Sequence, residues 1–125
     1  MGLFSFFKKN QKQQEEFSKD RYWSLTTNEG EVIEPTWKQV NAAVKNATPD
    51  GSIFASLRYI HSGLEIEVIQ VIGNDDGYRF EALPPNGEVF VNDGISYEET
   101  LKLFEDFFKH QRVAAFNSWP TEKMN

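Results

Sequence analysis

The chain has 125 residues, a net charge of -6 at pH 7 and 39% hydrophobic residues, which suits a single domain with a buried core. It contains no cysteine, so disulfides, cysteine-based zinc sites and thiol nucleophiles are excluded, and a cytoplasmic protein is expected. Its apolar runs are far shorter than the roughly 20 residues that cross a bilayer, so we expect no stable membrane insertion.

Residues 1–20 predict an N-terminal tail or short helix, followed by a single α+β domain at 21–125. An apolar tip, with Leu3, Phe4 and Phe6, comes before the first lysines. Because these charges follow the apolar residues and no small-residue cleavage site is present, the start is not typical of a secretory signal. A short membrane-surface anchor is the alternative interpretation.

The domain is predicted to begin with two strands and a helix. Aromatic and β-branched residues at 22–27 indicate a strand, and a turn at 28–30 leads to a shorter strand at 31–33. Thr36 is a suitable N-cap, and Gln39 stands where a capping box needs its partner. The first helix should therefore begin at residue 37 and end before the Pro-Asp-Gly at 49–51.

Four apolar-rich segments between residues 53 and 93 predict an antiparallel meander. Each alternates with period two, and the turns between them fall at 62–63, 73–77 and 84–87. A two-residue turn would pair His61 with Leu64, and the later turns would be closed by Ile72 with Tyr78 and by Leu83 with Glu88. These pairings place one apolar set on the face toward the helices: Ile53, Ala55, Leu57, Tyr59, Leu64, Ile66, Val68, Ile72, Tyr78, Phe80, Ala82, Val89 and Val91.

A second helix is predicted from the Ser96 cap, with Glu99 as its capping-box partner, to about residue 111. Its predicted buried stripe includes Leu101, which we expect in one core with Phe80. The tail from Arg112 has enough apolar surface to dock, through Val113, Phe116 and Trp119, but Pro120 and the polar end predict a frayed terminus. The predicted fold is α+β: an antiparallel meander sheet of four to six strands with two helices packed on one face.

Catalytic motifs are missing from the sequence. It has no nucleophile elbow, P-loop, dinucleotide fingerprint or zinc-protease helix motif. His61 beside a turn and His110 near a helix end both have ordinary structural explanations. The Asn-Asp-Asp-Gly at 74–77 is typical of a hairpin turn and lacks the ligand spacing of a calcium loop. We therefore predict a non-enzymatic protein without metal or cofactor.

The uneven distribution of charge along the sequence indicates what kind of partner the protein binds. Residues 59–108 contain eleven acidic residues and only two basic ones, Arg79 and Lys102. Phosphate contacts need clustered Lys and Arg, so nucleic-acid binding is not expected, whereas a basic protein partner is. On the mixed face of the meander, carboxylates surround a few apolar anchors, as in a binding surface. The predicted partner-binding residues are Glu65, Glu67, Ile69, Glu81, Glu88 and Phe90.

Residues 35–40, Pro-Thr-Trp-Lys-Gln-Val, are followed by a short helix, an Asp-Gly at 50–51 and the hairpins. In this order, and in its size and acidity, the chain resembles the small α+β immunity proteins of bacterial polymorphic-toxin and contact-dependent growth inhibition systems. The resemblance covers roughly residues 22–116, and it carries over no individual binding residue. It implies a cytoplasmic protein, without enzymatic activity, that neutralises a cognate toxin domain by direct binding.

Two other functions stay open at this point. An acidic secretion chaperone of similar build would bind an extended effector segment as a dimer, and the sequence leaves the oligomeric state open. A small hydrolase with an unfamiliar site is the third possibility. A monomer that neutralises a folded toxin would favour immunity, whereas a dimer with affinity for an unfolded peptide would favour a chaperone.

Overall fold

A computed structural model describes residues 20–74, 77–85 and 87–123. The predicted N-terminal tail lies outside the described residues except for Asp20, as do Asp75 and Asp76 of the predicted 74–77 turn. In chain order the elements are β1 (Tyr22–Thr27), β2 (Gly30–Ile33), α1 (Trp37–Lys45), β3 (Ala55–Ile60), β4 (Val68–Asn74), β5 (Gly77–Leu83), β6 (Glu88–Ile95), α2 (Tyr97–His110), a 3-10 turn (Phe116–Ser118) and β7 (Thr121–Lys123).

The described strands form one antiparallel sheet of seven strands in the order β2-β1-β3-β4-β5-β6-β7. Buried residues of both helices join a single core cluster with one face of this sheet. We call that face, which carries Leu57 and Phe80, the inner face, and the other, which carries Arg58 and Leu83, the outer face. The α+β class with two helices on one face is confirmed, although the sheet has more strands than the predicted four to six.

Both helices begin where their capping residues predict. The Thr36 side chain accepts a hydrogen bond from the Gln39 amide, and the Gln39 side chain accepts one from the Thr36 amide. Ser96 and Glu99 form the same reciprocal pair at the start of α2. These local hydrogen bonds satisfy amides that have no partner within a helix.

The core lies between the inner face and the two helices. Val40 and Val44 of α1 and Phe104 and Phe107 of α2 are fully buried, and so is Phe80 on the sheet. Apolar burial of this kind is the main stabilising contribution to folding.

The prediction for Leu101 is wrong. Its side chain is half-buried on the flank of α2 and is not packed against the core cluster, whereas Thr100 is fully buried. The polar Thr100 could take the buried position because its hydroxyl donates to the Ser96 carbonyl at 2.8 Å.

The predicted register of β3 with β4 is also wrong. Leu57 lies opposite Ile69 and Ala55 lies opposite Val71, so Val68 and Ile72 turn to the outer face. The chain does not reverse in two residues at 62–63. Instead His61 adopts a left-handed φ of 62°, and the connection continues to residue 67, where the Glu67 carbonyl accepts from the Tyr59 amide. One extra residue in a turn moves every later side chain to the other face.

In the next two hairpins the strand pairing is also shifted by one residue from the predicted pairing. Gly73, not Ile72, lies opposite Tyr78, and Ala82 lies opposite Phe90. Val89 and Val91 therefore belong to the outer face, where both are buried. Further along β6 the register shifts opposite Arg79, and the extra residue, Gly94, has a φ of 71°. This is the geometry of a β-bulge, and it brings Ile95 beside Tyr78.

Residues 121–123, which were predicted to belong to a frayed end, form a seventh strand. β7 pairs with β6, with Val89 opposite Glu122. The Arg79 guanidinium lies 2.8 Å from Glu81, 2.7 Å from Glu122 and 3.8 Å from Asp93, so one cation links β5, β6 and β7 on the outer face. These ion pairs hold in place a strand whose own side chains are all exposed.

Candidate functional site

Two of the predicted partner-binding residues lie on the inner face because of the register error. Ile69 is completely buried in the core, so it is unable to serve as a surface anchor. Phe90 packs against the core, with its ring edge-to-face on Phe116 at 5.0 Å. Ile69 is therefore not part of a binding surface, and Phe90, which is half-buried, lies on the opposite face from the one predicted.

Two predicted carboxylates have structural partners. Glu67 accepts a hydrogen bond from the Gly63 amide at 3.0 Å and so closes the β3–β4 connection. Glu81 is half-buried and bound to Arg79. Its hydrogen bond is the main reason that the pKa of Arg79 lies above its ordinary value. Reversing either charge would disturb the fold, in contrast to the usual behaviour of exposed strand carboxylates.

The other two predicted carboxylates lie apart from each other. Glu65 is exposed beside the C-terminal end of α2, in a cleft with Phe107 and Arg112. Glu88 begins β6 and is half-buried opposite Lys123. The structure thus distributes the predicted residues over the core, the outer face and a connecting loop, and does not gather them into one surface.

A groove of about 370 Å³ lies between α1 and the β1–β2 hairpin, and we call it the hairpin groove. Its less exposed lining residues are Leu25, Thr27, Ala43 and Ile53, and most of its polar lining residues are exposed. Val32 is 38% exposed there and is the one large hydrophobic residue that the described chain leaves exposed. The lining residues are Leu25, Thr27, Asn28, Glu29, Val32, Gln39, Ala42, Ala43, Asn46 and Ile53.

The groove follows from the way the chain enters α1. Glu34 takes a left-handed φ of 53° and Pro35 is buried, so the chain reverses and α1 runs back along the inner face. Its buried residues Val40 and Val44 join the core cluster with Leu57 of β3, and β2 is left at the margin of the sheet. Between Gln39 and Asn46, α1 contributes to the groove only the methyl side chains of Ala42 and Ala43, which leave space unfilled.

Three exposed carboxylates occur in and just after the β1–β2 hairpin. Glu29 lines the groove, whereas Glu31 lies on the outer face and Glu34 follows β2. Glu34 accepts from the Trp23 amide at 2.7 Å, and Glu31 accepts from the Ser24 hydroxyl. On α1, two exposed lysines, Lys38 and Lys45, stand next to the lining residues Gln39 and Asn46. The groove thus combines apolar lining residues with one carboxylate.

β2 is an edge strand, and the direction of its backbone groups can be worked out. The Glu34 amide donates to the Trp23 carbonyl at 2.8 Å, so this pair is of the hydrogen-bonded type. In an antiparallel ladder such pairs alternate, and Leu25 with Val32 is the next. The amides and carbonyls of Glu31 and Ile33 therefore point away from β1, toward the free edge.

The hairpin groove lacks the groups that catalysis requires. Glu29 is the only ionisable residue in its lining, so there is no pair of carboxylates for acid–base chemistry and no histidine beside a hydroxyl. Within the described ranges there is no cluster of His, Cys, Asp or Glu able to hold a metal ion. The groove can bind apolar side chains beside the exposed backbone edge of β2.

A second cleft, of about 350 Å³, lies between α2 and Trp119, but its carboxylates are occupied. Glu99 caps α2, and Asp106 pairs with Arg112 at 3.3 Å. Elsewhere, at Asp50, hydrogen bonds from Ser52 and Thr48 lower the pKa of the carboxylate to about 2. That carboxylate shapes the loop before β3 and faces no cavity.

Sequence reasoning missed the hairpin groove. The available signals were weak: a valine within an acidic short strand, and two adjacent alanines on one helix. No helix among residues 20–74, 77–85 and 87–123 is both long and apolar enough to cross a membrane. Comparison of the chain with models of known protein families, with curated proteins and with solved structures gives no match.

Proposed function

We propose that this protein is a non-enzymatic binding protein of the immunity type, which neutralises a basic bacterial toxin domain in the cytoplasm by direct binding. The observation that carries the proposal is the hairpin groove, where exposed Val32 lies with other apolar lining residues and the carboxylate of Glu29. In protein interfaces a few apolar anchors supply most of the affinity, and surrounding charges speed association and fix orientation.

Two further features support a protein partner over other ligands. The acidic balance of the chain, -6 overall, opposes nucleic-acid backbones and favours a basic protein surface. The groove also offers one carboxylate and no nucleophile, which suits binding better than hydrolysis. The proposed partner is a folded toxin domain with a basic surface. The protein would inhibit this domain by covering its surface and not by catalysing a reaction.

The test compares two charge reversals that differ only in place. The proposal expects the gene immediately upstream to encode a secreted protein with a toxic C-terminal domain, and that domain, purified after inactivation of its own active site, is the probe; an upstream gene that encodes no such domain would count against the immunity function. Glu29→Lys changes the groove, and Glu65→Lys makes the same change at the exposed loop site predicted from the sequence. Both carboxylates are exposed, so neither change should affect stability much.

Glu29→Lys should slow association several-fold at low salt and weaken its dependence on ionic strength, because long-range attraction is screened by salt. Val32→Ala should instead speed dissociation by roughly fivefold, the equivalent of about 1 kcal/mol of lost apolar contact. Protection should require an equimolar amount of protein, as expected of a stoichiometric blocker.

Other results would reject parts of the proposal. If the toxin domain binds neither wild type nor variants, the immunity function is wrong. If Glu65→Lys slows association and Glu29→Lys does not, the partner uses the loop site and not the groove. Protection by a catalytic amount of protein would indicate an enzyme.

A further inference from the structure

We propose that the free edge of β2 takes up an extended basic segment of the partner as an additional strand, whose alternate side chains enter the hairpin groove. This inference rests on the proposed function for the identity of the partner. The occupant it commits to is a segment in which lysine or arginine alternates with apolar residues.

The backbone of β2 supplies the first part of the argument. Glu31 and Ile33 direct their amides and carbonyls toward the free edge, and β2 is the terminal strand of the sheet. A strand added there would pair with these groups, as extended peptides do when they join an exposed sheet edge. Main-chain hydrogen bonds provide affinity in this binding mode, and pockets for alternate side chains provide specificity.

The side chains of β2 supply the second part. Val32 is paired with Leu25 on the inner face, whereas Glu31 is paired with Thr26 on the outer face. Because an added strand alternates in the same way, its inner-facing residues would lie over the groove and its outer-facing residues beside Glu31. Apolar lining residues on the inner side of the added strand and the Glu31 carboxylate on its outer side favour a segment in which apolar and basic residues alternate.

The size of the groove is adequate for this role. Its volume of about 370 Å³ falls within the roughly 300–1,000 Å³ that is common for ligand sites. Ala42 is exposed on its wall, so the entrance for an incoming side chain is bounded by a methyl group.

The opposite edge of the sheet differs. At β7 the carboxylate of Glu122 is bound to Arg79, and Lys123 brings a positive charge. None of the three described cavities is lined by a β7 residue. Charge and shape therefore direct a basic extended segment to β2 and not to β7.

The closing experiment follows backbone amide exchange by NMR in the full chain. The probe is a short capped peptide of alternating lysine and valine, and the matched control is the same peptide with glutamate in place of lysine. The Lys-Val peptide should slow exchange of the Glu31 and Ile33 amides by about tenfold or more, as new hydrogen bonds protect them. The amides of residues 121–123 should not change.

Two variants test the groove. Ala42→Phe obstructs the groove from an exposed position and should abolish the protection, whereas Ala114→Phe makes the same change in the second cleft and should leave it intact. Equal protection by the Glu-Val peptide, or peptide binding that leaves both edge amides unprotected, would overturn the inference. Protection that persists in Ala42→Phe would overturn the role of the groove.

The toxin domain used above separates the two proposals. If that domain binds and protects Glu31 and Ile33, both are supported. Binding without this protection would leave the immunity function in place and reject strand addition. If the Lys-Val peptide protects the edge and the toxin domain does not bind, strand addition stands and the immunity function fails.

Discussion

Replacing Phe80 by Ala should remove a large part of the stability of this domain. The side chain is fully buried, and its ring lies edge-to-face with both Phe104 and Trp119, at 5.6 Å from each. Truncating a buried Phe costs about 3–5 kcal/mol, since the lost transfer energy adds to the energy of the cavity left behind. A domain of this size has a free energy of unfolding of only about 5–15 kcal/mol.

Leu101→Ala is the matched comparison, because sequence periodicity predicted the two residues to be equally buried. Leu101 is half-buried and lies outside the core cluster. It should therefore cost only about 1 kcal/mol, well below the roughly 2–5 kcal/mol of a fully buried leucine.

Urea unfolding followed by circular dichroism measures both values. With a slope of about 1–3 kcal/mol per molar urea, Phe80→Ala should lower the midpoint by at least about 1 M, and Leu101→Ala by much less. Equal shifts of the urea midpoint for the two variants would refute the placement of Leu101 outside the core. A shift below about 1 kcal/mol for Phe80→Ala would refute the packing of the core itself.

Two further changes test the loop before β3. Gly73→Ala should destabilise by about 1–3 kcal/mol in the same urea assay, because its new methyl group would lie 3.0 Å from the Ala47 carbonyl oxygen; a neutral result would contradict this close approach. For Asp50 the folded pKa of about 2 lies below its ordinary 3.8, so the ionised carboxylate stabilises the fold above about pH 4 and this stabilisation is lost as the pH falls toward 2. The difference in stability between wild type and Asp50→Asn should shrink over that range, and a difference independent of pH would show that the Asp50 contacts do not depend on its charge.

Features set by neighbouring residues could be predicted from the sequence. Both capping boxes depend on side chains three positions apart, so Thr36 and Ser96 identified the helix starts correctly. The first two strands and the α+β class were also predictable, because aromatic and β-branched content and turn residues are local signals.

The strand register could not be predicted, for a physical reason. Residues 68–72, Val-Ile-Gln-Val-Ile, are apolar on both sides of the central Gln70, so alternation does not reveal which side is buried. The register then depends on the length and path of the connection after β3, where His61 takes a left-handed φ. That connection places Ile69, and not Val68, opposite Leu57 on the inner face. The bulge at Gly94 affects only the later pairing of Ile95 with Tyr78.

The hairpin groove was beyond sequence reasoning because it arises from what two elements leave unfilled. Ala42 and Ala43 read as ordinary helix residues until α1 is placed beside β2. Val32 reads as a member of a buried strand until β2 is found at the edge of the sheet. Counting carboxylates drew attention to residues 59–108, whereas the carboxylate of the groove is Glu29, and the count gave no information about which carboxylates were already bound.

The order of the sheet also has a consequence for the path of folding. From β3 to β6 each strand pairs with its neighbour in the chain, whereas β1 joins the sheet by placing Tyr22 opposite Ile60, with β2 and α1 in the intervening loop. Closing that longer loop costs more chain entropy, so we expect the β3–β6 meander to form first. Pulse-labelled amide exchange should then protect Val71 before Leu25, and the reverse order would refute this sequence of events. The hairpin groove is built from β1, β2 and α1, which we expect to join after the meander, so binding of the proposed partner would stabilise a part of the molecule that is assembled late.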